Sequence, residues 1–137
     1  MMRLSASVLL VAVAAAPATA ATPNDMLARF EAQARGTDRS FAGFSTERGA
    51  RLFTAAPQGD WSCASCHGNP PSQTGRHAKT GKSIAPLAPA ANPERFTDAA
   101  KVEKWFARNC RDVLGRECTA QEKGDITAYV LGQVSAR

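Results

Sequence analysis

The sequence predicts an all-α fold, because its apolar residues recur at helical spacing and no stretch alternates between apolar and polar residues convincingly. Four segments with helical spacing begin at Ser, Thr or Asp residues, which can accept hydrogen bonds from the first backbone amides of a helix. The chain shows no internal repeat, and 137 residues is the length of one domain. A single all-α domain is therefore expected.

The first two predicted helices precede the middle of the chain. The first has Thr22 as its cap and ends at Gly36. The second covers residues 45–55 and contains Gly49. A glycine inside a helix costs about 1 kcal/mol relative to alanine, and it is usually tolerated for a close crossing. We therefore expect Gly49 to lie where another element crosses the second helix.

The last two predicted helices occupy the C-terminal third of the chain. One runs from Thr97 or Asp98 to about residue 113, and the other begins at Thr119 with an apolar face that extends to Val134. Residues 70–93 are rich in proline and lack periodicity, which predicts a long irregular loop. Such loops inside compact domains tend to line functional sites.

The first twenty residues have the features of a cleaved secretory signal peptide. A positively charged start precedes an apolar run over residues 7–16, which is too short to span a membrane, and small residues precede a cleavage site after Ala20. We predict an exported, periplasmic mature chain over residues 21–137, with no integral membrane segment. Its mild excess of positive charge is spread along the chain and gives no reason to predict nucleic-acid binding.

The run WSCASCHGNP, residues 61–70, contains Cys63, Cys66 and His67 in the C-x-x-C-H pattern through which haem c is attached. On a helical turn these three side chains share one face. Two thiols can then reach the two vinyl groups of one haem while the imidazole reaches its iron. We predict one covalent haem c, with His67 as an axial ligand of the iron.

Cysteine pairs with this spacing also occur in two other kinds of site. A thioredoxin-type C-x-x-C requires alternating β and α elements, which the sequence lacks. A zinc-stabilised binding module would need a fourth ligand, such as another cysteine. The remaining cysteines, Cys110 and Cys118, have a use of their own if they pair with each other in an exported domain.

The residues alone leave the second axial ligand open. The methionines are Met1, Met2 and Met26, so none follows the haem motif, and the closed, high-potential iron that methionine ligation gives is in doubt. His77 as the ligand would give a closed electron carrier, although its surroundings look exposed. Lysines are weaker candidates because they are normally solvated: Lys79, Lys82 and Lys101.

Asn109 is a further candidate, because it lies on the apolar stripe of the third predicted helix. A polar amide is costly to bury without a partner. Its partner is either a backbone carbonyl near the helix end or the haem iron, and the residues by themselves do not choose between them.

Residues 44–134 resemble the cytochrome c fold, in which a helix carrying a glycine and an aromatic residue precedes the haem motif and is crossed by a C-terminal helix. Gly49, Phe53 and Tyr129 match that pattern. The resemblance implies a cytochrome c-like fold around one haem, with residues 21–43 as an N-terminal extension helix and loop.

The stretch KVEKWFARNCRDVLGREC, residues 101–118, resembles the sphaeroides haem protein family of asparagine-ligated, oxygen-binding cytochromes c. The resemblance implies that Asn109 is the second axial ligand, that Cys110 and Cys118 form a disulfide, and that the asparagine leaves the iron on reduction. The reduced iron is then open to O2, NO or CO.

We therefore expect a redox-active protein that accepts electrons from a partner cytochrome and binds a diatomic gas when reduced. Turnover of oxygen, nitric oxide or peroxide stays open. The alternatives are a plain periplasmic electron carrier closed by His77 or a lysine, and a haem sensor in which ligand release moves the last two helices.

Overall fold

The computed structural model describes residues 21–133, so the expected signal peptide and Val134 lie outside the described residues. The elements are, in chain order, α1 (Pro23–Thr37), α2 (Thr46–Thr54), α3 (Cys63–His67), β1 (Gly75–Arg76), β2 (Ser83–Ile84), α4 (Ala99–Leu114) and α5 (Ala120–Leu131). The predicted all-α class is confirmed. The one addition is a pair of two-residue antiparallel strands, in which Gly75 faces Ile84. Between residues 21 and 133, no helix has the length and apolar character needed to cross a membrane.

The predicted caps set the beginnings of the helices. Thr22 and Thr119 each form a capping box with the acidic residue three positions later. Ser45 caps α2, and Asp98 caps α4 by accepting from the Lys101 amide. Local hydrogen bonds between a cap side chain and the first turn therefore place the helix starts where the sequence predicts them.

The centre of the fold is the crossing of α2 with α5. A Cβ atom at Gly49 would collide with the backbone carbonyl of Asp125 and lie 2.9 Å from the Cβ atom of Tyr129. The expected close crossing at Gly49 is thus confirmed. Phe53 and Val130, both fully buried, lie in the core cluster that this crossing supports.

An ion pair with a buried carboxylate also joins α2 to α5. The Arg48 guanidinium donates two hydrogen bonds to the Asp125 carboxylate, at 2.8 and 2.9 Å, and a third to the carbonyl of Gly43. The same carboxylate accepts from the Ser45 backbone amide at 2.7 Å. Because the carboxylate side chain is only 5% exposed, these partners supply the hydrogen bonds that its burial requires.

The N-terminal helix α1 is part of the core. Its residues Met26, Phe30 and Ala34 are buried, and the helix packs along α5. The Phe30 ring also meets Phe106 of α4 edge to face, with 5.6 Å between ring centroids. The segment that the sequence resemblance treats as an extension therefore links the two C-terminal helices.

Candidate functional site

The cysteines and histidine of the C-x-x-C-H motif form the short helix α3. Ser62 caps this helix in a reciprocal capping box with Ser65, and Gly68 ends it with a positive φ of 76°. Five residues are too few to make a stable helix by themselves, so the caps and the neighbouring elements must hold it. Cys63, Cys66 and His67 are thereby placed at positions i, i+3 and i+4 of one turn.

Two elements press against α3. A Cβ atom at Gly75 in β1 would collide with the carbonyl of Cys66 and the Cα atom of His67, so only glycine fits there. In the turn that follows β1, the backbone amide of Ala78 donates to Cys66 Sγ at 3.3 Å. On the α2 side, the Phe53 ring lies 6.5 Å from the His67 ring, measured between centroids. The motif is therefore held from both sides.

The His67 imidazole is neutral, and its Nδ1 atom is not hydrogen-bonded to the described part of the chain. Desolvation, with a smaller contribution from the positive charge of Arg95, lowers the pKa of His67 to about 4. Its Nδ1 atom is buried without a hydrogen-bond partner among residues 21–133. A neutral imidazole is the form of histidine that binds metals.

The cysteines fit a covalent role better than a zinc site. Burial raises the pKa of the Cys63 thiol to about 11, which disfavours the thiolate that zinc binds. No group of three His, Cys, Asp or Glu residues in the described part of the chain comes together as a metal cage. Two unpaired thiols and an unpartnered imidazole on one helical turn instead fit haem c.

Asn109 lies in α4, and the residue that follows it in sequence forms a disulfide. Asn109 is half-buried, and its side-chain amide makes no hydrogen bond to the described residues. The next residue, Cys110, is bonded to Cys118, with 5.6 Å between their Cα atoms, and both cysteines are buried. The bridge ties the last turns of α4 to the start of α5 and so limits where the Asn109 backbone can move.

The other candidates for the second ligand have different surroundings. His77 is half-buried, and its Nδ1 atom accepts from the backbone amides of Lys79 and Thr80 at 3.2 and 3.3 Å. The Lys79 ammonium lies over the Trp61 ring, 4.5 Å from its centroid, and Lys82 and Lys101 are exposed. Met26 is in the apolar core.

Three features near the motif were not foreseen from the sequence. The hairpin of β1 and β2 covers Cys66, the Tyr129 hydroxyl donates to Asn69 Oδ1 at 3.3 Å, and Arg95 donates to the carbonyls of Ala85 and Pro86. The two glycines in the run GRHAKTGK, residues 75–82, are the sequence feature that indicates a turn between β1 and β2. The other two contacts join residues distant in sequence or within irregular chain, for which periodicity gives no signal.

Comparison with known proteins places the chain in a family. A family model described as "Domain of unknown function (DUF1924)" matches residues 39–130. The "Cytochrome c-type protein SHP" of Cereibacter sphaeroides is 44% identical over 131 residues, covering 91% of this chain and 96% of the relative.

Two solved structures are also similar. One is described as "Structure of oxidized SHP, an oxygen binding cytochrome c", with a TM-score of 0.69 and 44% identity, and covers 82% of this chain and 97% of that chain. The other is the solution structure of Methylophilus methylotrophus cytochrome c'', described with "insights into the structural basis of haem-ligand detachment". Its TM-score is 0.71 at 35% identity, with 82% of this chain and 94% of that chain covered.

Three observations indicate the same family: the C-x-x-C-H turn, the helical fold around it and the sequence identity along nearly the whole chain. The chain belongs to the sphaeroides haem protein (SHP) family of c-type cytochromes, whose cofactor is covalently bound haem c.

Proposed function

We propose that this chain is an exported monohaem cytochrome c whose second axial ligand, Asn109, leaves the iron on reduction and yields its place to O2 or NO. In this proposal Cys63 and Cys66 hold the haem through thioether bonds, and His67 is the permanent axial ligand. When bound, the haem would supply a redox-active iron. The side chains of this protein would then decide which ligands that iron has.

The observation that carries the proposal is the state of Asn109. Its half-buried amide has no hydrogen-bond partner among the described residues, and its backbone is tethered by the adjacent disulfide. Because this amide is held near one place and is not engaged by another described side chain or carbonyl, it is available as a ligand. Ligation of the iron would give the amide a partner.

His77 is a weaker candidate because one of its nitrogens already accepts two backbone amides in the hairpin turn. Its Nε2 atom could reach an iron only if the whole turn were positioned for it. The lysines are exposed, and leaving water for iron would cost each of them its solvation. These surroundings favour Asn109 over the closed electron carrier.

The chemistry of an amide ligand accounts for release on reduction. An amide oxygen is a hard, neutral and weak donor, which suits ferric iron better than the softer ferrous iron. Reduction would therefore lower the affinity of the iron for Asn109. The disulfide would keep the amide close, so that it could return after reoxidation.

The similar proteins support two parts of this proposal. The solved SHP is described as oxygen binding, and the solved cytochrome c'' is described in terms of haem-ligand detachment. Carried over to this chain, these descriptions favour a gas-binding role with a ligand that leaves. Which gas is used, and whether turnover follows, does not come from them.

Periplasmic location and a redox partner complete the proposal. The signal-peptide pattern of residues 1–20, the covalent attachment motif and the disulfide all suit an exported protein. A protein that cycles between oxidised and reduced iron needs an electron donor, and another cytochrome in the same compartment is the donor we propose.

The test is the absorption spectrum of the purified holoprotein, oxidised and then reduced, before and after carbon monoxide. We expect a low-spin oxidised spectrum and a high-spin reduced spectrum that shifts with carbon monoxide. In Asn109→Ala we expect the oxidised iron to become five-coordinate or water-bound.

The matched control is His77→Ala, which should leave all of these spectra unchanged. An Asn109→Ala protein with an unaltered oxidised spectrum, together with an altered one in His77→Ala, would contradict the proposal. A reduced low-spin spectrum that ignores carbon monoxide would make the protein a closed electron carrier.

A further inference from the structure

A β-hairpin whose charged residues are all basic packs against α3, the helix of the C-x-x-C-H motif. We call residues 75–84, which comprise β1, β2 and the turn between them, the basic hairpin. It carries Arg76, Lys79 and Lys82 and has no acidic residue. No Asp or Glu occurs anywhere between Asp60 and Glu94. The carboxylates that elsewhere in the chain neutralise basic side chains are therefore missing from this stretch.

The three cations of the basic hairpin are exposed, and none forms an ion pair with another described residue. Arg76 Nε donates to the carbonyl of Gly81 at 3.0 Å, and the Lys79 ammonium lies over the Trp61 ring. The Lys82 ammonium has no hydrogen bond within residues 21–133. Their positive charge is available to an outside partner.

The basic hairpin holds these charges on a fixed backbone. The His77 amide donates to the carbonyl of Lys82, and the Gly81 amide donates to the carbonyl of His77, both at 2.8 Å. The His77 ring closes the turn by accepting two further amides. A surface whose backbone is already ordered loses little conformational entropy when a partner binds.

The basic hairpin also touches the residue that attaches the cofactor. The Ala78 amide donates to Cys66 Sγ, and Gly75 lies against the backbone of Cys66 and His67. A protein that docked on the hairpin would therefore come to rest beside the attached edge of the haem.

We propose that the basic hairpin docks an acidic redox protein beside the haem attachment helix; this inference rests on the electron-transfer part of the proposed function. Positive charge on a fixed surface accelerates encounter with a negatively charged partner. A membrane surface would also require apolar side chains to insert. Between residues 75 and 84 the hairpin offers only an exposed Ala78 and a half-buried Ile84, which favours a protein as the partner.

The α4 helix is the natural comparison surface. Its exposed cations also form no ion pair within residues 21–133: Lys101, Lys104 and Arg108. However, two acidic residues, Glu103 and Asp112, lie on the same helix. Charge reversal there changes the net charge of the protein by the same amount as in the hairpin. A difference between the two surfaces therefore reports location and not total charge.

The experiment measures oxidation of the reduced holoprotein by ferricyanide under anaerobic conditions. One electron passes from the haem iron to ferricyanide, which becomes ferrocyanide. We compare Lys79→Glu/Lys82→Glu with the control Lys101→Glu/Lys104→Glu on α4, whose side chains are exposed and form no ion pair with another described residue. At an ionic strength of about 10 mM, we expect the hairpin variant to react roughly tenfold more slowly than wild type and the control less than about twofold more slowly.

A polyaspartate peptide serves as the model of an acidic protein surface. It should slow the reaction of wild type and of the control, and it should have no effect on the hairpin variant. The single variant Lys82→Glu keeps the contact between Lys79 and Trp61 and should show the same pattern with a smaller amplitude. All of these differences should disappear at about 1 M salt, where charges are screened within roughly 3 Å.

Equal slowing of both double variants, or equal inhibition of all proteins by polyaspartate, would overturn the inference. So would binding of wild type to phosphatidylserine vesicles that only the hairpin variant loses, since the surface would then face a membrane. The carbon monoxide shift of the reduced protein is read separately in every variant. Its absence in wild type contradicts the proposed function, whereas its presence beside a failed hairpin test contradicts the docking inference alone.

Discussion

The helix that carries the C-x-x-C-H motif, α3, and the helix that carries Asn109, α4, are held in the fold by different kinds of contact. The backbone of α3 runs close to α2 on one side and to β1 on the other. Gly75 fits against α3 only because it has no side chain. Main chain therefore packs against main chain around Cys66 and His67.

The α4 helix is fastened at separate points along its length. Near its start, the Glu103 carboxylate accepts from the Lys123 ammonium at 2.6 Å and from the Gln33 amide at 3.3 Å. Phe106 packs against Phe30 in its middle, and the Cys110–Cys118 disulfide anchors its last turns. These fastenings are side-chain contacts.

The difference matches the tasks that we propose for the two axial ligands. A permanent ligand requires a position fixed by close backbone packing, because packed interiors do not deform continuously. A ligand that leaves and returns requires a side chain that can turn while its backbone stays near. Tethering α4 through side chains and a disulfide provides that arrangement around Asn109.

The largest expected effect comes from adding a side chain at Gly75. In Gly75→Val the new side chain would collide with the backbone of α3, which cannot move aside as a flexible side chain could. Overpacking of this kind costs about 3 kcal/mol. We expect thermal unfolding at a temperature roughly 12 to 20 °C lower, and poor attachment of haem when the variant is expressed.

Gly36→Ala is the control, since nothing lies within 4 Å of a Cβ atom at that helical position. It should leave haem attachment unchanged and raise stability by up to about 1 kcal/mol. If Gly75→Val had the same stability and haem content as wild type, α3 would not depend on close backbone packing.

The sequence was sufficient to predict the helices and the helical turn of the C-x-x-C-H motif. Caps at Thr22, Ser45 and Thr119 are local signals, and the spacing of Cys63 and His67 is set by a single turn. These features depend on residues within four positions of one another, which is the range over which helical periodicity carries information.

The contacts between elements distant in sequence could not be predicted from the sequence. Arg48 and Asp125 are 77 residues apart, and nothing in either helix indicates that they pair. The core role of α1 was missed for the same reason, since Met26 and Phe30 meet their partners only in the folded chain. The unpartnered amide of Asn109 also required the structure, because a stripe in a sequence does not show what an amide contacts.

Removing the disulfide is expected to have the next largest effect. The bridge closes a loop with a sequence separation of 8, and in the chain-entropy model a loop of that length contributes about 2 to 3 kcal/mol. We expect Cys110→Ser/Cys118→Ser to unfold at correspondingly lower denaturant concentration. We also expect its oxidised spectrum to contain a high-spin fraction, because Asn109 is held less closely.

Covalent retention of the haem is the internal control in the Cys110→Ser/Cys118→Ser variant. Haem should remain covalently bound in a denaturing gel, since Cys63 and Cys66 are untouched. An oxidised spectrum and carbon monoxide association rate equal to those of wild type would reduce the disulfide to a stabilising element without a role in ligation.

The smallest expected effect is the loss of stability when Glu103, near the start of α4, loses its charge. This effect depends on pH. Burial by itself would raise the pKa of Glu103, but hydrogen bonds from Lys123 and Gln33 outweigh it and hold the pKa below its usual value. The positive charges of Lys123 on α5 and Arg29 on α1 act in the same direction. A lowered pKa in the folded state means that the ionised carboxylate adds stability above the unfolded pKa, near 4.3, and that this stability disappears as pH falls through the folded pKa.

Glu103→Gln should therefore be about 1 kcal/mol less stable than wild type at pH 7, as measured by denaturant unfolding. The gap should narrow steadily below about pH 4, because wild type then loses the same charge. Glu117→Gln removes an exposed pair with Arg111 and should cost less than about 0.5 kcal/mol at either pH. A gap for Glu103→Gln that stayed constant from neutral to acid pH would show that α4 is fastened there by packing and not by charge, which would make the two helices more alike than their contacts indicate.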